Sequence, residues 1–167
     1  MKLALYIALI AASSSALAHP GHGADSFLHG FAHPFAGPDH LLAMLAVGLW
    51  AARFAGRARW ALPIAFVSFM ALGMGVALPM VEPVIALSVL VLGLGAAVGS
   101  RLPVVAAAGV TALFALFHGH AHFAEMPADA SLAGFALGML SATALLHAAG
   151  LLLALQLVRV RRWLLAS

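Results

Sequence analysis

A chain of 167 residues that is 65% hydrophobic and only 8% charged, with mean hydropathy +1.10, cannot surround itself with the charged shell that a water-soluble domain needs. Its net charge of +3 would suit nucleic acid, but every arginine lies in a short break between apolar runs or near the C-terminus, the membrane-protein pattern, and nucleic acid is excluded as a partner. There is no cysteine, so disulfides, thiolate metal sites and thiol nucleophiles are excluded as well.

Residues 1–18 have the form of a cleavable signal peptide. Lys2 is the positive start, "LALYIALIAA" the apolar stretch, and Ala16, Leu17 and Ala18 the cleavage site before His19. A His-rich segment, 19–37, follows on the outer, periplasmic side. Five apolar stretches then predict membrane helices over about 38–52, 60–78, 83–99, 102–123 and 132–158. Pro38, Pro63, Pro83 and Pro103 sit near their starts, where a missing N–H costs little. The expected fold is all-α: a polytopic membrane protein with a signal peptide and one five-helix transmembrane bundle over 38–167. No linker divides it, and no internal repeat is evident. Pro34 and Pro38 interrupt the interval from His33 to His40, which predicts a short irregular segment folding His33 back towards His40 beside a polar cavity.

Charge sorting sets the orientation. With the N-terminus outside, the breaks after the first and third spans and the tail face the cytoplasm; they hold Arg53, Arg57, Arg59, Arg101, Arg159, Arg161 and Arg162. The opposite side receives Asp25, Asp39, Glu82, Glu125 and Asp129, and every histidine except His147. The expected location is a bacterial inner membrane, N-terminus periplasmic and C-terminus cytoplasmic.

"GLGAAVG" (residues 93–99) has no βαβ surroundings and is not a dinucleotide loop. Gly95/Gly99 and Gly134/Gly138 are expected to be small faces for close helix contact, within the chain or in a homo-oligomer. No phosphate-binding loop occurs, so the chain does not itself use ATP.

The chemistry lies in the histidines. Asp39 and His40 open the first bundle helix, with Met44 one turn deeper on the same face. On a helix, His118, His122 and Glu125 form one stripe while His120 points elsewhere. His147 is the one ionisable group near mid-membrane, a pathway candidate because burial in lipid is costly. A lone histidine near a helix end, such as His29, is ordinarily an interfacial hydrogen-bonding residue, and Met70, Met74 and Met80 are read as lipid-facing or packing residues rather than a thioether ladder. Eight histidines and five acids gathered on one face point to a metal. The candidate ligands are His33, Asp39, His40, His118, His122 and Glu125, with His19, His22, His120, Met44 and His147 secondary. Imidazole and carboxylate without thiolate suit Ni²⁺, Co²⁺, Zn²⁺ or Cu²⁺ rather than Ca²⁺ or Mg²⁺.

At "HPFAGPDHLLAMLAVGLWA" the chain resembles the HupE/UreJ family of nickel and cobalt permeases, through His33, Pro34, Gly37, Asp39, His40, Met44, Val47 and Gly48. "HGHAHFAE" is similar to the family's second histidine motif, through His118, Gly119, His120, His122 and Glu125, with Phe123 standing where a small residue is expected. The resemblance implies Ni²⁺ uptake in support of hydrogenase or urease, with Co²⁺ or Zn²⁺ also admissible and no resident cofactor. The expected function is permeation by facilitated diffusion. The alternative is a membrane-bound receptor or chaperone that binds Ni²⁺ for hydrogenase or urease maturation without transporting it. A bis-histidine haem protein needs two facing deep histidines, and an intramembrane hydrolase needs a nucleophile motif around Ser68, Ser88 or Ser141; neither is found, so an enzyme is not expected.

Overall fold

The computed structural model describes residues 24–98 and 102–166. The expected signal peptide, His19, His22, Gly99 and Arg101 lie outside them. Among the described residues six α-helices follow in order: α1 (Ala24–Ala36), α2 (Pro38–Ala51), α3 (Ala61–Gly73), α4 (Val81–Val98), α5 (Val104–Ala124) and α6 (Leu132–Leu164). A 3₁₀ turn, Gly56–Trp60, precedes α3. Among the described residues there is no strand.

Three helices, α4, α5 and α6, are long and apolar enough to cross a membrane, and α2 is a shorter apolar helix. The chain is a membrane protein. At 33 residues, α6 is about 50 Å long against a hydrocarbon core of about 30 Å.

Two elements depart from expectation. The segment between His33 and His40 is helical up to Ala36, and the break is confined to Gly37. Pro38 disfavours the α conformation in the residue before it, and Gly37 is accordingly extended, with φ −98° and ψ 117°. Pro34 has the same tendency, but it falls in the last turn of α1, where packing on α6 holds the helix together. The second difference is α3, which stops at Gly73 instead of reaching residue 78. Gly73, Gly75 and Pro79 crowd that stretch, and Met80 adopts a positive φ of 56° before α4 begins.

Local chemistry sets the other boundaries. Pro103 precedes α5, and Ser131 caps α6 by accepting a bond from the Gly134 N–H at 3.2 Å. The Ser131 N–H in turn donates to Ser26 Oγ at 2.9 Å, tying α1 to the start of α6.

The principal packed pairs are α3 with α5, α1 with α6, α2 with α6 and α2 with α4. The first three are made at facing glycines. A Cβ on Gly119 would collide with the Met70 carbonyl, and one on Gly73 with that of Leu116; Gly48/Gly150 and Gly30/Gly138 join α6 to α2 and α1 in the same manner. Of the glycines expected at such faces, Gly138 is used in this way. Gly95 instead lies under the Trp50 ring, and Gly134 belongs to the α6 cap.

α1 and α2 run one after the other alongside α6 and in its direction, at Gly30/Gly138 and then Gly48/Gly150; one end of the bundle carries the loops with arginine and the other the histidine-bearing helix ends. At the arginine end Arg53 Nε and Nη2 donate to the Ala96 and Ala97 carbonyls at 3.1 and 3.0 Å, capping α4 with a cation. At the histidine end α1 crosses the first turns of α6 and brings His33 over the mouth between α2 and α5.

Candidate metal centre

His118 and His122 are four residues apart on α5, so both project from one face. The break at Gly37 places His40, in the first turn of α2, opposite them. The His40 ring centroid lies 4.9 Å from that of His118 and 4.4 Å from that of His122. His33 comes in from α1, 4.9 Å from His122. Two groups of three ligands result, each with its donor atoms within 4.8 Å of one another: His40, His118 and His122, all buried, and His33, His122 and Glu125 at the rim. His122 belongs to both.

Hydrogen bonds decide which imidazole nitrogens are free. Asp39 Oδ1 accepts from the His40 backbone N–H at 2.8 Å and from His40 Nδ1 at 2.9 Å. A carboxylate only accepts, so Nδ1 carries the proton and His40 Nε2 holds the lone pair. Ser88 reaches the same result for His118. Its hydroxyl proton goes to the Ile85 carbonyl at 2.6 Å, so its oxygen accepts from His118 Nε2 at 2.9 Å and leaves His118 Nδ1 bare. The two nitrogens left bare, His40 Nε2 and His118 Nδ1, are both buried and without a partner, as are both nitrogens of His122. At the rim, His33 Nε2 donates to Glu125 Oε2 at 2.9 Å.

Asp39, expected as a ligand, thus orients His40 and lies outside both three-ligand groups. His120 is half-buried and outside them too, as is the exposed His29. Met44 is buried one turn below His40, where its sulfur accepts from Thr143 Oγ at 3.4 Å. His147 is buried deeper, edge-on to the Phe66 ring at 5.0 Å, and the same ring lies 5.4 Å from that of His118. Phe123, the departure from the family pattern, is exposed and leaves α5 helical to Ala124.

Sequence reasoning missed the hydrogen bond between Ser88 and His118, the Phe66 ring between His118 and His147, and the contact of Thr143 with Met44 and Met70. Ser88 was visible only as a polar residue in an apolar helix, and a hydrogen bond across 30 residues has no local signature.

Residues 7–167 match the protein family described as HupE / UreJ protein. The chain is similar to Protein HupE of Rhizobium leguminosarum bv. viciae, with 48% identity over 158 residues that cover 92% of this chain and 83% of that one. No solved structure matches it.

Proposed function

The chain belongs to the HupE/UreJ family, and from that premise we propose that it is a permease for a divalent transition metal. Ni²⁺ is the first candidate, with Co²⁺ and Zn²⁺ as alternatives. It acts in the bacterial inner membrane with the histidine end towards the periplasm and the C-terminus in the cytoplasm. The observation that carries this reading is the buried trio His40, His118 and His122, whose rings leave four nitrogens without partners and bring one donor nitrogen each within 4.8 Å of the others. A buried acceptor left unsatisfied costs about 1–3 kcal/mol, and a cation held by one nitrogen of each ring removes that cost from all three lone pairs. Neutral imidazoles and one rim carboxylate suit late first-row ions better than Ca²⁺ or Mg²⁺.

The ion is captured at the rim by His33 and Glu125, sheds water there, and passes through the shared ligand His122 to His40 and His118. No closed cage forms, which conduction requires, since each site must also release. A divalent ion gains about 4.6 kcal/mol per 100 mV of inside-negative potential, at about 2.3 per charge. That corresponds to roughly three decades of concentration ratio, so neither ATP nor a coupled ion is needed.

Radioactive Ni²⁺ uptake into metal-starved cells, with unlabelled Co²⁺ and Zn²⁺ as competitors, tests the proposal. His122→Ala should lower accumulation at least about 10-fold, as loss of a ligand shared by both groups. Accumulation equal to wild type would refute the assignment. Tight Ni²⁺ binding by purified protein without any uptake would favour the receptor or chaperone alternative.

A further inference from the structure

One turn below the imidazoles, three helices bring together side chains that the outer cluster does not use. Met44 on α2, Met70 on α3 and Thr143 on α6 are all fully buried. Thr143 Oγ lies 3.4 Å from Met44 Sδ and 3.9 Å from Met70 Sδ, and its single proton can serve only one of these weak acceptors at a time. The other buried threonine behaves differently: Thr111 returns its proton to the Ala107 carbonyl of its own helix at 2.8 Å. Thr143 turns instead towards the two sulfurs.

The layer lies between the outer cluster and a second unexplained group. Met44 is one turn from His40 along α2, and Thr143 is one turn from His147 along α6. His147 is 1% exposed, both its nitrogens lack partners, and it lines a cavity of about 290 Å³ with Trp60 and Ser68, on the way to the arginine end. Core packing alone would be served by leucine and alanine at these positions. A buried column running from imidazole to thioether and hydroxyl, and then to imidazole, offers a cation a donor at every turn.

We propose that Met44, Met70 and Thr143 form a second, inner binding site for a late first-row divalent ion, which receives it from the three imidazoles and passes it to His147. The inference rests on the permease reading, since an inner site has a use only if the ion moves inward. All three donors are neutral, so the site holds the ion weakly and releases it. Thioether sulfur favours softer ions and disfavours Mg²⁺, Ca²⁺ and Mn²⁺, which makes this layer a selectivity filter behind a less discriminating mouth.

The absence of cysteine makes the test direct: any sulfur bound to metal in this chain must come from methionine. X-ray absorption at the nickel edge, on the full purified chain with excess Ni²⁺, should show sulfur neighbours besides nitrogen and oxygen. Met44→Leu/Met70→Leu, which nearly conserves volume, should remove the sulfur signal, keep the nitrogen and oxygen neighbours, and lower Ni²⁺ uptake about 10-fold. A nitrogen and oxygen shell alone in fully loaded wild type, a measurement that needs no variant to fold, would overturn the inner site even if wild type transports. Unchanged uptake by the double variant would overturn it as well. A wild-type protein that carries no metal would instead remove the permease reading, and the inner site with it.

Discussion

An imidazole offers a metal its lone pair only where its other nitrogen keeps the proton, so the partner of that second nitrogen matters as much as the ring's position. Here Asp39 sets one tautomer and Ser88 the other, and both turn the bare nitrogen inward. Ser88→Ala removes an acceptor without touching a ligand; His118 then loses its orientation and its preferred tautomer. Ni²⁺ affinity, measured by titration against a competing chelator, should fall about 10-fold, the low end for partners of this kind. Ser88→Thr keeps the hydroxyl and should restore most of it. Equal loss in both variants would mean that volume at this position, not the hydrogen bond, is what counts. The histidines of this site were legible in the sequence because they are spaced on helix faces; Ser88 was not, because its role exists only after α4 and α5 pack together.

The helices themselves explain what the apolar pattern could and could not reveal. Long apolar runs located α4, α5 and the start of α6 within a few residues, since burial in lipid and burial in protein both demand apolar side chains, whereas α6 runs on past the expected residue 158 to Leu164. Hydrophobicity says little about where a helix stops, and so α1 and the end of α3 were misjudged at Pro34 and Gly73, where backbone geometry and packing compete. The contact faces were also hard to see, because they are glycines paired across two helices rather than spaced along one. Gly119 is the sharpest case: it meets the Met70 backbone and lies next to His118. Gly119→Ala should push α5 off α3, cost about 1–3 kcal/mol of stability by overpacking, and pull His118 away from Ser88. Gly109 on the same helix has open space around its Cα, so Gly109→Ala should be neutral or stabilising by up to about 1 kcal/mol. Thermal unfolding of both variants in detergent checks the pair; equal midpoints would disprove the close-approach account.

At the scale of the whole molecule, the two ends differ in kind. Acids and imidazoles gather at one, arginines at the other, and the donor column runs between them. An inside-negative potential drives a cation from the first end to the second only if the arginine end lies in the cytoplasm, which is where arginine is retained. Sidedness and driving force are therefore one question, and the chain's lack of cysteine gives it a clean probe. Ala128→Cys, exposed between α5 and α6, should react with a membrane-impermeant maleimide in intact spheroplasts. Ala55→Cys, exposed before the 3₁₀ turn at the arginine end, should react only after lysis. In the same spheroplasts an uncoupler that collapses the potential should lower Ni²⁺ accumulation, by up to about three decades at 100 mV if potential alone drives it. The reverse labelling pattern would put the imidazoles at the exit, where rim ligands cannot capture periplasmic metal, and uptake through them would be ruled out.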